Sequence, residues 1–172
     1  MIGYHVAVAV FGFRWIFRDP GVDVRYLAAG ALLPDVVDLP LGTVVFADRY
    51  SSGELWSHTL LAPSLVVVAA LVLFRHGARR RRLIVIAVGM FFHLLADGMW
   101  TSTSIFLWPF AGDFPVGPKP YWAGLWDRAF SDPWRWVAEL AGWTYLIGLS
   151  RRAGLADPAR RRALWTEGRL AA

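Results

Sequence analysis

The chain has 172 residues, no cysteine and a net charge of +5, with 56% hydrophobic residues and a mean hydropathy of +0.42. One domain fits that length, and the lack of cysteine excludes disulfides and thiolate metal sites. The chain is too apolar for an ordinary soluble domain, so its basic excess reads as membrane topology rather than nucleic-acid binding.

Ile2 to Phe17 is apolar and aromatic, broken by His5 and Arg14, and predicts a first membrane helix. No A-x-A-like cleavage site follows it, so no removable signal peptide is expected. Arg18-Asp19-Pro20-Gly21 reads as a turn. Val22 to Leu33 is a second apolar run, stopped by Pro34; at roughly 12 residues it is too short to cross a bilayer core. Asp35 and Asp38 lie three apart between Pro34 and Pro40. Leu41 to Ala47 suggests a re-entrant or interfacial piece, and Asp48 to Glu54 a polar turn. Leu55 to Phe74 predicts a spanning helix with His58 near its start. Arg75 to Arg82 carries five arginines and His76. Leu83 to Met99 predicts the next spanning helix, which ends in His93 and Asp97. Thr101 to Phe110 reads as loop or short helix, and Gly112 to Ser131 as a loop rich in Pro, Gly and Trp. Asp132-Pro133 has the pattern of an N-cap with proline at the first helical position, so a last spanning helix runs from Trp134 to about Ser150. Asp157-Pro158 opens a basic tail helix in the same way. The expected fold is all-α: an integral membrane helical bundle of about five membrane helices over residues 1–150, with short re-entrant or interfacial segments. Residues 151–172 form a basic cytoplasmic tail.

Placing Arg75–Arg82 in the cytoplasm fixes the direction of every helix. Of the 18 basic residues, only Arg49, Lys119, Arg128 and Arg135 then fall outside. This assignment used no histidine, yet it gathers His5, Asp35, Asp38, His58, His93 and Asp97 near the outer face. His76 alone stays among the arginines.

Ionisable groups on apolar helices face a bundle interior and mark function by default. His93 and Asp97, four apart, share one helix face and can grip one metal ion. They could equally pair with each other at a helix end. Asp35 and Asp38 could serve turn and capping chemistry around the prolines, and His58 could donate to a backbone carbonyl. Together the six groups mix imidazole with carboxylate, which suits a divalent ion such as zinc, manganese or iron, and they suffice for two ions. Glu54 is placed to act as a general base or to support a ligand; the alternative is an exposed acid at a helix start. Thr101 to Ser104 offer hydroxyls, but no nucleophile elbow surrounds them. Trp108, Trp122, Trp126, Trp134 and Trp136 read as a belt at headgroup level, or as a lid over the site.

Four stretches carry a family resemblance: Gly30–Gly42, Trp56–Leu61, His93–Trp100 and Leu107–Phe110. In these the sequence resembles the inner-membrane-associated metal-dependent hydrolase family, whose usual early histidine is matched by His5. The resemblance covers roughly the first two thirds of the chain. Many members carry the two acids two apart; the wider spacing of Asp35 and Asp38 belongs to one branch. The resemblance implies a metal site and a hydrolase.

The residues and the resemblance give one leading expectation. It is a metal-dependent hydrolase in the inner membrane, with its site on the extracytoplasmic side. The substrate is expected to be an ester or phosphoester in a lipid or envelope molecule, and membrane lipids are the expected partners. The first ligands are Asp35, His58, His93 and Asp97, with Asp38 and His5 completing a second site or orienting the first. A second reading is non-catalytic, the same cluster binding or conducting metal ions or protons. A third has the polar groups as hydrogen-bond glue between helices.

Overall fold

The computed structural model describes residues 1–19, 21–123 and 130–170, and no strand occurs among them. We number the helices α1 (Ile2–Ile16), α2 (Val24–Pro40), α3 (Leu61–Leu73), α4 (Ala78–Ala96), α5 (Thr103–Phe106), α6 (Pro133–Arg152) and α7 (Pro158–Glu167). Single 3-10 turns, Trp56–His58 and Met99–Thr101, precede α3 and α5. Pro20 of the expected turn, Trp126 of the expected belt and the outside Arg128 lie outside the described residues.

The centre of the molecule is the packing of α4 on α2. A Cβ on Gly30 would sit 2.2 Å from the Ile86 carbonyl oxygen, and one on Gly89 2.4 Å from that of Leu27. The two glycines let the backbones touch, as small residues do where membrane helices cross. Leu27, Gly30, Ala31, Pro34 and Asp38 form the buried face of α2. Ala9, Val10 and Phe13 of α1 close the core with Val85 and Phe92 of α4. A second cluster sits beside the 3-10 turn: Leu55, Leu94, Met99, Ile105 and Phe114, rimmed by Tyr50, Trp56 and Trp108. Trp108 stacks on Phe114 there, with ring centroids 5.1 Å apart, and so belongs to this cluster rather than to a belt.

Four expectations change. First, α2 does not stop at Pro34. It continues through Pro40 and widens into a π-helical turn, Leu41–Val45, closed by a Phe46 N–H donated to the Leu41 carbonyl (2.7 Å). A proline inside a helix costs about 3 kcal/mol, and the buried face on α4 offsets it. Second, the expected helix from Leu55 starts only at Leu61. Pro63 sits within its first turn, where a missing N–H costs little, and it blocks a regular turn upstream. Third, α4 begins at Ala78, so four of the five clustered arginines lie on its first turns. Fourth, about five membrane helices were expected. Among the described residues, only the continuous helix Val24–Val45, with 22 residues, is long and apolar enough to cross a membrane; Ile2–Ile16 and Leu61–Leu73 are apolar but shorter. The shortfall follows from the 3-10 turn before α3, the arginines of α4, and the Arg135, Glu139, Arg151 and Arg152 of α6.

The predicted caps form. Asp132 accepts from the Trp134 N–H (3.0 Å) and Asp157 from the Ala159 N–H (2.9 Å). Beyond α6 the chain folds back on the start of α2: Val24 N–H donates to the Gly168 carbonyl (2.9 Å), and Arg25 donates to that of Trp165. Arg81 pairs with Asp19 (2.6 Å), and Arg82 lies over the Tyr26 ring. These arginines and the rest of the α4 cluster thus collect at one end of the bundle. His93 follows them by 11 to 14 residues along α4, roughly 20 Å of helix.

Candidate metal centre

Three helices and one 3-10 turn bring the ionisable groups together at the other end. α4 ends on Asp97, because Gly98 adopts a left-handed conformation (φ 64°) that terminates it. His93 and Asp97 therefore project from the last turn, with His93 Nε2 and Asp97 Oδ2 3.0 Å apart. α2 supplies Asp35, whose Oδ1 is 3.7 Å from His93 Nε2 and 3.5 Å from His58 Nε2. The 3-10 turn supplies His58, whose Nε2 is 3.1 Å from that of His93 and 3.8 Å from Asp97 Oδ2. One atom from each of these four residues lies within 4.8 Å of the other three. His58 and His93 are buried, while the two carboxylates form the open side, Asp97 at 27% and Asp35 at 43% exposed.

The second ring nitrogens decide the chemistry. His58 Nδ1 donates to Asp38 Oδ2 (2.8 Å) and His93 Nδ1 to the Ala31 carbonyl (2.7 Å). With both rings neutral, their Nε2 atoms are acceptors. Two nitrogen lone pairs and two carboxylates converge with no donor between them, and only a proton or a cation can hold them so. The spacing is near that of a metal site: donors about 2.1 Å from a tetrahedral ion lie about 3.4 Å from one another, five of the six separations here run from 3.0 to 3.8 Å, and all six lie within 4.8 Å. Two imidazoles and two carboxylates suit zinc, manganese or iron.

Asp38 and His5 lie one layer out. Asp38 is fully buried. Besides His58 Nδ1, its carboxylate accepts from the backbone N–H groups of Leu55 (2.8 Å), Ser57 (2.9 Å) and His58 (3.1 Å). It is the anchor of the 3-10 turn. His5 Nε2 donates to Asp97 Oδ1 (2.8 Å) and its Nδ1 to the Met1 carbonyl, while its ring stacks on His93 (centroids 4.3 Å apart). The four converging donors include neither residue; both candidate ligands instead contact the residues that carry those donors.

Glu54 lies in the loop before the 3-10 turn, not on a helix, and lines a cleft of about 530 Å³ with His5, Asp35, His58 and Asp97. Partial withdrawal from water there pushes its carboxyl above the usual range; His58 pulls the other way and the Asp97 charge adds to the rise. Burial raises Asp97 as well, but the hydrogen bond from His5 and the neighbouring His5 and His93 rings outweigh that and hold it well below the carboxylate range. Arg135 and Trp134 of α6, and Tyr121 of the long loop, complete the cleft wall. The Thr101 hydroxyl is engaged by the Gly98 carbonyl (2.9 Å), away from any nucleophilic role.

The sequence did not foretell three parts of this site: the Ala31 carbonyl, the Arg135 wall, and Glu139, which clamps α6 to the start of α1 through the Gly3 and Tyr4 N–H groups (2.8 and 3.0 Å). The signal for Ala31 is its place between the touching glycines Gly30 and Gly89; for the other two there is none. A family model described as YdjM inner membrane protein matches residues 1–156. No curated protein and no solved structure matches the chain.

Proposed function

The chain belongs to the YdjM inner membrane protein family, and from that premise we propose that it is a multi-pass, metal-dependent hydrolase of an ester or phosphoester in a lipid or envelope molecule. One observation carries the reading: the Nε2 atoms of His58 and His93 face each other at 3.1 Å with both Nδ1 protons already committed, between the carboxylates of Asp35 and Asp97. A divalent ion bound there supplies Lewis acidity, acidifying water and polarising a phosphoryl or acyl oxygen.

This chain's own residues do the rest. Asp38 fixes the tautomer of His58, and His5 fixes the orientation of Asp97. Glu54, with its raised affinity for protons, takes one from water in the cleft and returns it to the leaving group. Arg135 sets a positive charge in the cleft wall for an anionic substrate oxygen. The cleft opens beside the N-termini of α1 and α6, at the end of the bundle, which supports hydrolysis at a membrane surface over passage through the midplane. The arginine end then faces the cytoplasm and the cleft the other side.

The test is to purify the protein, measure bound metal, and screen lipid-like phosphoesters and acyl esters. His93→Ala and Asp97→Ala should each lose the metal and the turnover, and the double variant should be no worse than either, because each disables the same unit. Glu54→Gln should keep the metal and lose about 10²- to 10⁴-fold in turnover. A wild type that binds no divalent ion, with both ligand variants equally stable, would sink the proposal.

A further inference from the structure

Two surface hollows away from the metal centre share a wall. The first, about 290 Å³, is a groove between the end of α1, α3 and α4, lined by Ile16, Phe17, Pro63, Val67, Phe91 and Leu95 among others. Its lining is apolar apart from Ser64. Ile16 and Phe17 are more than half exposed and Phe91 is 39% exposed, so the groove stands open along the outside of the bundle. The second, about 340 Å³, lies at the arginine end and contains His76, Arg80 and Arg81 with Asp19. Phe17 and Val88 line both, so the apolar groove runs directly into the basic hollow.

The polar partners in the hollow leave positive charge to spare. Asp19 pairs with Arg81 (2.6 Å) and neutralises one unit, and Arg80 donates to the Arg75 carbonyl. A guanidinium has five N–H donors in a planar fork that matches phosphate, so each arginine keeps donors for an anion. A long apolar trough with a basic mouth matches one chemistry in a membrane: an acyl chain ending in an anionic headgroup. An amphipathic peptide helix would need polar partners along the groove, and its lining offers only Ser64.

We propose that this groove holds one acyl chain of an anionic phospholipid, with its phosphate on Arg80 and Arg81. The chain runs past Phe17 and Val88 along α4 toward Leu95. This site stands apart from the metal centre and does not depend on it.

The experiment uses the full chain in detergent, incubated with equal amounts of phosphatidylglycerol and phosphatidylcholine and read by native mass spectrometry. The wild type should retain phosphatidylglycerol in preference to phosphatidylcholine. The double variant R80Q/R81Q should lose that preference, by about fivefold for each arginine removed. R79Q/R82Q removes the same charge from outside the hollow and should keep it. Val67→Trp and Val88→Trp fill the groove from α3 and α4, and a folded variant of either kind should lose bound lipid with every arginine in place. Equal retention of the two lipids by the wild type would overturn the site. So would an equal loss in R79Q/R82Q, which would mean a diffuse basic surface, or undiminished lipid in Val67→Trp.

Discussion

Asp38 shows how one buried carboxylate can set the geometry of a site it does not enter. It gathers three backbone N–H groups and one imidazole N–H, so the 3-10 turn and the tautomer of His58 are settled by the same two oxygens. Asp38→Ala should cost about 3 kcal/mol or more, since three buried N–H groups lose their acceptor. Asp38→Asn should keep much of the fold but lower metal affinity about 10- to 100-fold, because an amide serves His58 less well than a carboxylate. Thermal unfolding in detergent and calorimetric titration with zinc separate the two effects. His58 gives a pH signature. Burial alone would lower its pKa, but hydrogen bonds and charge from Asp35 and Asp38 prevail, and it is pushed up to about 9. In the metal-free protein this proton is the cation between the acceptors. A pKa raised in the folded state means that the stability it confers is complete below about 6.5 and is lost as the pH rises through about 9. A metal must displace the same proton, so its affinity should rise up to about tenfold per pH unit over that window. Unfolding of the metal-free protein and chelator competition, both followed from pH 6.5 to 9, should therefore trend in opposite directions. A flat unfolding profile would show that no such proton is held.

At the scale of elements, the α2–α4 contact carries both the core and the site, because it brings the Ala31 carbonyl to His93. Gly89→Val would drive a side chain into the backbone of Leu27 and Ala31. It should cost about 3 kcal/mol and release metal even at temperatures where the protein stays folded; melting and metal content measured on one preparation would reveal both. The pairing of His93 with Asp97 was legible in the sequence, since four residues is one helical turn. So was the gathering of His58 and Asp35, which the alternation of helices and the arginine bias imply. The course of α2 was not legible: Pro34 and Pro40 oppose a helix locally, and only the buried face against α4 reverses that. The work of Asp38 was also hidden, because its backbone partners lie 17 to 20 residues away in a turn that no periodicity announces. The start of α3 was misplaced because Leu55 to Phe74 is mostly apolar, and hydropathy cannot separate a 3-10 turn from a helix.

At the scale of the whole molecule, the arginines that open α4 mark one end and the cleft the other. The chain has no cysteine, so a single introduced thiol reports its side without background. A cysteine replacing Phe110, 88% exposed near the cleft end, should react with an impermeant reagent added from outside the inner membrane, and one replacing Ala78 should not; the reverse pattern would invert the orientation. The return of the C-terminal segment onto α2 bears on how the protein is made. Trp165, whose carbonyl receives Arg25, is 140 residues downstream of it. At roughly 5–20 residues per second of synthesis, about 7 to 28 seconds separate the two ends of that one bond. Throughout that interval α2 begins with its Asp23 cap alone, and the Val24 N–H waits for a carbonyl not yet translated. The bundle is therefore closed last at its arginine end, after the residues of the metal centre have already left the ribosome.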